Sequence, residues 1–138
     1  MTSRGLIALA DARVPRYTSY PTADRFVEAH GPAQHQAALM QRDQGPGKAA
    51  PLSVYVHVPF CESLCYYCAC NKIVTKHHER GAEYLKLLDA EIELWARHLG
   101  GRPAVSQVHL GGGTPTFLSD EELSWLTARL RQSFDWLP

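Results

Sequence analysis

Ser53-Val54-Tyr55-Val56-His57-Val58, bounded by Pro51 on one side and Pro59 on the other, decides the fold. Its β-branched and aromatic residues predict a strand over 53–58. Alternation puts Val54, Val56 and Val58 on one face and Tyr55 and His57 on the other. Phe60-Cys61-Glu62-Ser63-Leu64-Cys65-Tyr66-Tyr67-Cys68-Ala69-Cys70 follows at once, a loop that holds all 4 cysteines of the chain. From about Glu79 to Leu99 the period changes. Leu85, Leu88, Ile92, Trp95 and Leu99 recur at steps of three and four, which predicts an amphipathic helix ended by Gly100-Gly101. The plan then repeats. Residues 105–110 read as a strand, Gly111-Gly112-Gly113-Thr114-Pro115 as the loop leaving it, and Ser119 with Glu122 as a capping-box pair. Leu123, Leu126, Leu130 and Phe134 form one stripe on the helix that follows.

Strands joined through long helices run parallel, with a right-handed crossover. In such α/β folds the loops leaving the carboxyl ends of the strands gather on one rim and build the site. The cysteine loop and the triglycine loop are therefore expected side by side on neighbouring strands. Ahead of this core lie residues 1–51, an N-terminal segment and linker. They comprise a polar, aromatic-dotted start from Arg16 to Phe26, a short helical candidate from Pro32 to Arg42 with Pro in its first turn, and a Gly/Pro/Ala-rich stretch from Gln44 to Pro51. Residues 52–138 are the start of the core.

Lys+Arg and Asp+Glu are 14 each among 138 residues, so the formal net charge is zero. That argues against nucleic-acid binding and against an anionic membrane surface, both of which need clustered positive charge. Every apolar run is interrupted before it reaches bilayer-spanning length. Leu6-Ile7-Ala8-Leu9-Ala10 is shorter than a signal-peptide core, with Asp11 and Arg13 close behind. The expectation is a cytosolic chain.

In that compartment, clustered cysteines point to a metal or redox site rather than a disulfide framework. Cys61, Cys65 and Cys68, spaced by three and two residues, suit three irons of a [4Fe–4S] cubane. The fourth iron would be open to a small molecule, unlike the four-cysteine ferredoxin plan. Cys70, two residues after Cys68, is poorly placed for the remaining corner. The alternative is a structural zinc site, with His77 and His78 as further ligand candidates. It lacks a second knuckle, and beside Lys76 both histidines read as solvated. The glycine run reads either as a flexible turn or as a shelf that lets a ligand reach backbone N–H and C=O groups. His57 and His109 each precede a loop and read equally as hydrogen-bonded core residues or as site residues. Arg16 and Arg25 are candidate carboxylate partners, weighed against ordinary surface arginines.

Tyr55-Val56-His57-Val58-Pro59-Phe60-Cys61-Glu62-Ser63-Leu64-Cys65-Tyr66-Tyr67-Cys68 resembles the signature of the radical S-adenosylmethionine (SAM) enzymes, and Gly111-Gly112-Gly113-Thr114-Pro115 resembles the glycine-rich motif that follows it there. Cys70 with Asn71-Lys72-Ile73, together with Tyr17-Thr18-Ser19-Tyr20-Pro21-Thr22-Ala23-Asp24-Arg25-Phe26, resembles the oxygen-independent coproporphyrinogen III oxidase family. The resemblance implies a [4Fe–4S] cluster held by Cys61, Cys65 and Cys68, with the amino and carboxylate groups of SAM on the open iron. It implies one-electron cleavage of SAM to methionine and a 5′-deoxyadenosyl radical. That radical abstracts hydrogen from a propionate side chain, carbon dioxide leaves and a vinyl group remains. Done twice, this gives protoporphyrinogen IX in haem biosynthesis.

By the same resemblance Tyr55 and Gly112 touch the first SAM, while Tyr67, Gly113 and Thr114 lie near a second. Cys70 is an active-site residue and not a cluster ligand. The implied partners are a porphyrinogen substrate and an electron donor such as flavodoxin or ferredoxin, with no nucleic acid and no membrane. Two other readings stand beside this one: a related radical SAM haem chaperone, and a non-catalytic zinc module. The family builds a six-unit partial (β/α) barrel with a further C-terminal region. The chain is expected to carry the first two β/α units, as an N-terminal portion of such a protein.

Overall fold

A computed structural model describes residues 23–44 and 50–138. Arg16, the Tyr17–Thr22 stretch and linker residues 45–49 lie outside the described residues. The chain divides into two units, Met1–His35 and Gln36–Pro138. In the first, Ala23–Arg25 forms a single 3-10 turn. Arg25 lies 3.5 Å from Asp24 on an exposed surface, so the guanidinium already has a carboxylate neighbour. Helix α1 (Pro32–Gln44) opens on Pro32, whose fixed φ and missing N–H suit a first turn.

The second unit is built on β1 (Leu52–Val58), followed by two short strands, β2 (Phe60–Cys61) and β3 (Ile73–Val74). Then come α2 (Glu79–His98), β4 (Ala104–Gly112), α3 (Asp120–Ser133) and β5 (Asp135–Trp136). Strands β1, β4 and β5 form one parallel sheet in that order, and β2 and β3 form a separate parallel pair. The expected two-strand core is thus a three-stranded sheet, the smallest number that gives a sheet independent stability. The extra strand, β5, pairs Asp135 with Ala104 and Trp136 with Val105. Phe134, expected to continue the helical stripe, instead takes an extended backbone (φ −128°, ψ 150°) and hands the chain to β5 while keeping its ring buried.

Strand β4 also runs further than expected. Gly111 and Gly112 pair with His57 and Val58, so the turn begins at Gly113 and not at Gly111. At its other end the register slips: Leu52 pairs with Val105 and Ser53 with Gln107, leaving Ser106 as a bulge. The bulge reverses the facing of the strand. Val105 points into the core, whereas Gln107 and His109 are exposed on the other face with Ser53 and Tyr55.

The helices cover one face of the sheet. Val56, Val58, Leu85, Leu88, Ile92, Val105, Leu126, Leu130 and Phe134 fill the space between, and Leu126 and Val58 are wholly buried. Helix α2 stops where Gly100 and Gly101 adopt φ of +74° and +119°, values that a side chain resists. Arg129 of α3 joins the two helices through Asp89 and Glu93 (3.0 Å) of α2, and also bonds Ser133 (2.7 Å) one turn along its own helix. No helix among the described residues is long and apolar enough to cross a membrane.

The capping box is present in full: the Glu122 N–H donates to Ser119 Oγ (3.2 Å) and the Ser119 N–H to the Glu122 carboxylate (2.9 Å). Ser119→Ala is expected to lower stability by about 1 kcal/mol, the usual worth of such a cap. Urea melts of the two chains would measure it, and coincident curves would contradict it.

Candidate functional site

The carboxyl ends of β1 and β4 lie side by side, and hydrogen bonds from two sides hold the root of the cysteine loop. The Gly113 N–H donates to the Val58 carbonyl (2.7 Å) and the Thr114 N–H to the Phe60 carbonyl (2.8 Å). From the far side of the loop, the Ile73 N–H donates to the Pro59 carbonyl (2.7 Å) and the Thr75 N–H to the Cys61 carbonyl (2.9 Å). Cys61 is consequently buried, at 8% exposure, while Cys68 is half-buried and Cys65 and Cys70 are exposed, all four as free thiols. The Thr114 hydroxyl donates to Cys61 Sγ at 3.6 Å, a normal length for a bond to sulfur.

Each glycine of the run makes room for neighbouring groups. A Cβ on Gly111 would fall 2.8 Å from the Tyr55 ring, and one on Gly112 would fall 2.8 Å from the His57 ring. At Gly113 a Cβ would sit 2.5 Å from the Phe60 carbonyl oxygen and 2.8 Å from Cys61 Sγ. The run is therefore a close-approach surface in a strand and the turn beyond it, not a flexible turn. Gly112 has φ of +103° in addition.

The rings so accommodated form a connected group. His57 Nε2 lies 2.7 Å from the Asn71 carbonyl, which can only accept, so Nε2 carries the proton there and Nδ1 accepts from the Tyr55 hydroxyl at 3.1 Å. Tyr55 stacks on His109, with centroids 5.7 Å apart and planes 17° from parallel. His57 thus ties the end of β1 to Asn71, just past the last cysteine. Its role is neither core filling nor idle exposure. Tyr84 reinforces the same point by donating to the His57 carbonyl (2.6 Å), and burial pushes its phenol above the ordinary tyrosine range.

His78 is exposed, as expected, but its ring is engaged. It stacks on Phe117 at 4.3 Å, with Nδ1 3.1 Å from the Phe117 carbonyl and Nε2 3.0 Å from the Glu62 carboxylate. It therefore joins the start of α2, the segment after β4 and the cysteine loop. His77 remains on the surface, beside Glu79 at 3.0 Å. The Glu79 carboxyl is held below its ordinary value, chiefly by its own backbone N–H. The contacts of His57 with Asn71 and of His78 with Phe117 and Glu62 were not foreseen. Their only sequence signal is a histidine next to an element boundary, which is too common to single out.

Of the residues proposed from the sequence, Cys61, Gly113 and Thr114 come together, as do Tyr55, His57, Gly111 and Gly112. Tyr67 is 90% exposed on the loop. Among the described residues no three His, Cys, Asp or Glu side chains are gathered into a metal-ligating set. The donor chemistry nonetheless fits an iron–sulfur cluster. The thiols are soft ligands on one short loop, the first is fixed and buried, and the glycine beside it carries no side chain to crowd its sulfur. The His78 ring, engaged at both nitrogens, is not a spare zinc donor.

The family model of the radical SAM superfamily matches residues 55–136. An oxygen-independent coproporphyrinogen III oxidase of Pseudomonas aeruginosa is 51% identical over 132 residues, which are 96% of this chain and 28% of that protein. One of Mannheimia haemolytica is 42% identical over 121 residues, 88% of this chain and 79% of the relative. A solved structure of coproporphyrinogen III oxidase (HemN) from Escherichia coli, described as a radical SAM enzyme, superimposes with a TM-score of 0.78 at 42% identity. It covers 95% of this chain and 28% of its own. The chain thus spans a little over a quarter of the Pseudomonas and Escherichia proteins.

Proposed function

The chain belongs to the radical SAM superfamily, on the branch whose members are named oxygen-independent coproporphyrinogen III oxidase, and from that premise we propose that it holds the cluster- and SAM-binding portion of an enzyme that oxidatively decarboxylates coproporphyrinogen III. The observation that carries this reading is the placement of Cys61, buried in β2 just past β1, against Gly113 and Thr114 of β4's exit. Two motifs more than fifty positions apart thereby share one wall.

In this reading Cys61, Cys65 and Cys68 hold a [4Fe–4S] cluster. When bound, the cluster and SAM supply the one-electron chemistry that starts hydrogen abstraction from a propionate side chain. The chain's own residues position them. Tyr55, fixed by His57 and stacked on His109, and Gly112, kept bare by the His57 ring, offer a flat ring and open backbone to a first SAM. Tyr67, Gly113 and Thr114 would face a second. Asn71, held by His57, sets where the loop returns after Cys70, and Cys70 stands beside the substrate without binding iron. The substrate is a porphyrinogen, and a low-potential protein such as flavodoxin or ferredoxin delivers the electron.

Anaerobic reconstitution with iron and sulfide tests the assignment of the thiols. Cys61→Ser, Cys65→Ser and Cys68→Ser are each expected to lower bound iron at least tenfold. Cys70→Ser should keep wild-type iron and a reduced-cluster electron paramagnetic resonance signal that changes on adding SAM. Loss of iron in Cys70→Ser, or a colourless chain holding only zinc, would overturn it.

A further inference from the structure

We propose that the Thr114 hydroxyl is a positioning residue for the Cys61 sulfur and, through it, raises the reduction potential of the cluster that this sulfur would hold. The inference rests on Cys61 being a cluster ligand, and it gives Thr114 a task separate from contact with SAM.

The hydroxyl donates to Cys61 Sγ at 3.6 Å, and three features keep it there. The Thr114 N–H is bonded to the Phe60 carbonyl at 2.8 Å and the preceding Gly113 N–H to the Val58 carbonyl at 2.7 Å, so both backbones move together. Thr114 is extended, at φ −125° and ψ 101°, which fixes the side on which its Cβ projects. As a β-branched residue it has few side-chain rotamers to choose from. Meanwhile the sulfur is screened from water, since Cys61 is 8% exposed and Gly113 packs against it without a side chain. In such a setting one hydrogen bond counts for more than it would in solvent.

Reduction adds one electron from a low-potential one-electron reductant, breaks no bond and consumes no proton. The added charge is shared by the ligand sulfurs. A donor aimed at one of them therefore stabilises the reduced state more than the oxidised state and moves the potential upward, as hydrogen bonds to cluster sulfurs do in general.

The test is a redox titration of the reconstituted chain without SAM, followed by electron paramagnetic resonance. Thr114→Val is expected to retain its iron yet shift the one-electron equilibrium toward the oxidised form by up to tenfold, about 59 mV more negative. Thr114→Ser, which restores the hydroxyl, should return to within about twofold of wild type, since the same donor is in place. Thr114→Ala serves if the valine variant does not fold, with the same shift expected. A Thr114→Val or Thr114→Ala midpoint equal to that of wild type, with SAM affinity alone altered, would overturn the inference and leave the thiol assignment intact. A wild-type chain that assembles no cluster would overturn the thiol assignment and this inference with it.

Discussion

Gly113→Ala is expected to lose about 3 kcal/mol of stability, at the upper end of what an overpacked site costs, and to bind less than half the wild-type iron. The added methyl would lie 2.5 Å from the Phe60 carbonyl oxygen and 2.8 Å from Cys61 Sγ. Neither neighbour can step aside. The oxygen is backbone and already accepts from Thr114, while Cys61 is flanked by the Thr75 bond to its own carbonyl. Relief requires β4's exit to part from the root of the cysteine loop, breaking the Gly113–Val58 and Thr114–Phe60 bonds at roughly 1 kcal/mol each. Urea midpoints and iron per chain after reconstitution read the two effects. A variant with the wild-type midpoint would show that the wall is softer than its geometry. Gly100→Ala is the control. There nothing lies within 4 Å and only φ of +74° resists, so the loss should be near 1 kcal/mol with iron unchanged.

The other large effect belongs to the core. Leu126 has no exposed surface and packs where α3 meets the sheet, so Leu126→Ala is expected to cost about 4 kcal/mol through lost burial and the cavity left behind. Against a typical total of roughly 5–15 kcal/mol, that is enough to make the fold marginal. Its signature differs from that of Gly113→Ala. Thermal and urea midpoints should fall steeply, whereas iron per folded chain, measured at low temperature, should stay at the wild-type value. A parallel loss of iron from the folded fraction would mean that the core and the rim are not separable. A stability change under about 1.5 kcal/mol would mean that α3 collapses into the vacated space.

The elements that local chemistry dictates were legible. Val54, Val56 and Val58 announce β1, the three- and four-residue spacing from Leu85 to Leu99 announces α2, and Ser119 with Glu122 announces α3. What escaped depends on partners distant in sequence. Strand β5 is two residues long, and Asp135-Trp136 carries no alternation. It is a strand because Pro103 and Val105 offer carbonyls to Asp135 and Leu137. The β2–β3 pair is as short and exists because the cysteine loop must close. The bulge at Ser106 leaves no mark on composition. Gly111 and Gly112 read as a turn because glycine ordinarily weakens strands, and only the Tyr55 and His57 rings across from them explain why they stay in one.

The site was legible in part. The cysteine spacing and the glycine run pointed to the rim, and the alternating faces put Tyr55 with His57. The Thr114–Cys61, His57–Asn71 and His78–Glu62 contacts join positions 53, 14 and 16 residues apart. No periodicity links such positions.

The wall beside Cys61 also imposes a schedule on biosynthesis. Its other half, Gly113 and Thr114, lies more than fifty residues downstream, with the whole of α2 between β1 and β4 in the chain. During translation, the first thiol emerges long before the surroundings that shelter it. Pairing across such a span is intrinsically slow, because the chain must close a large loop before any contact rewards it. Until then the thiols are open to oxidation or to stray metal. Oxygen shock during synthesis should therefore damage nascent chains more than finished ones.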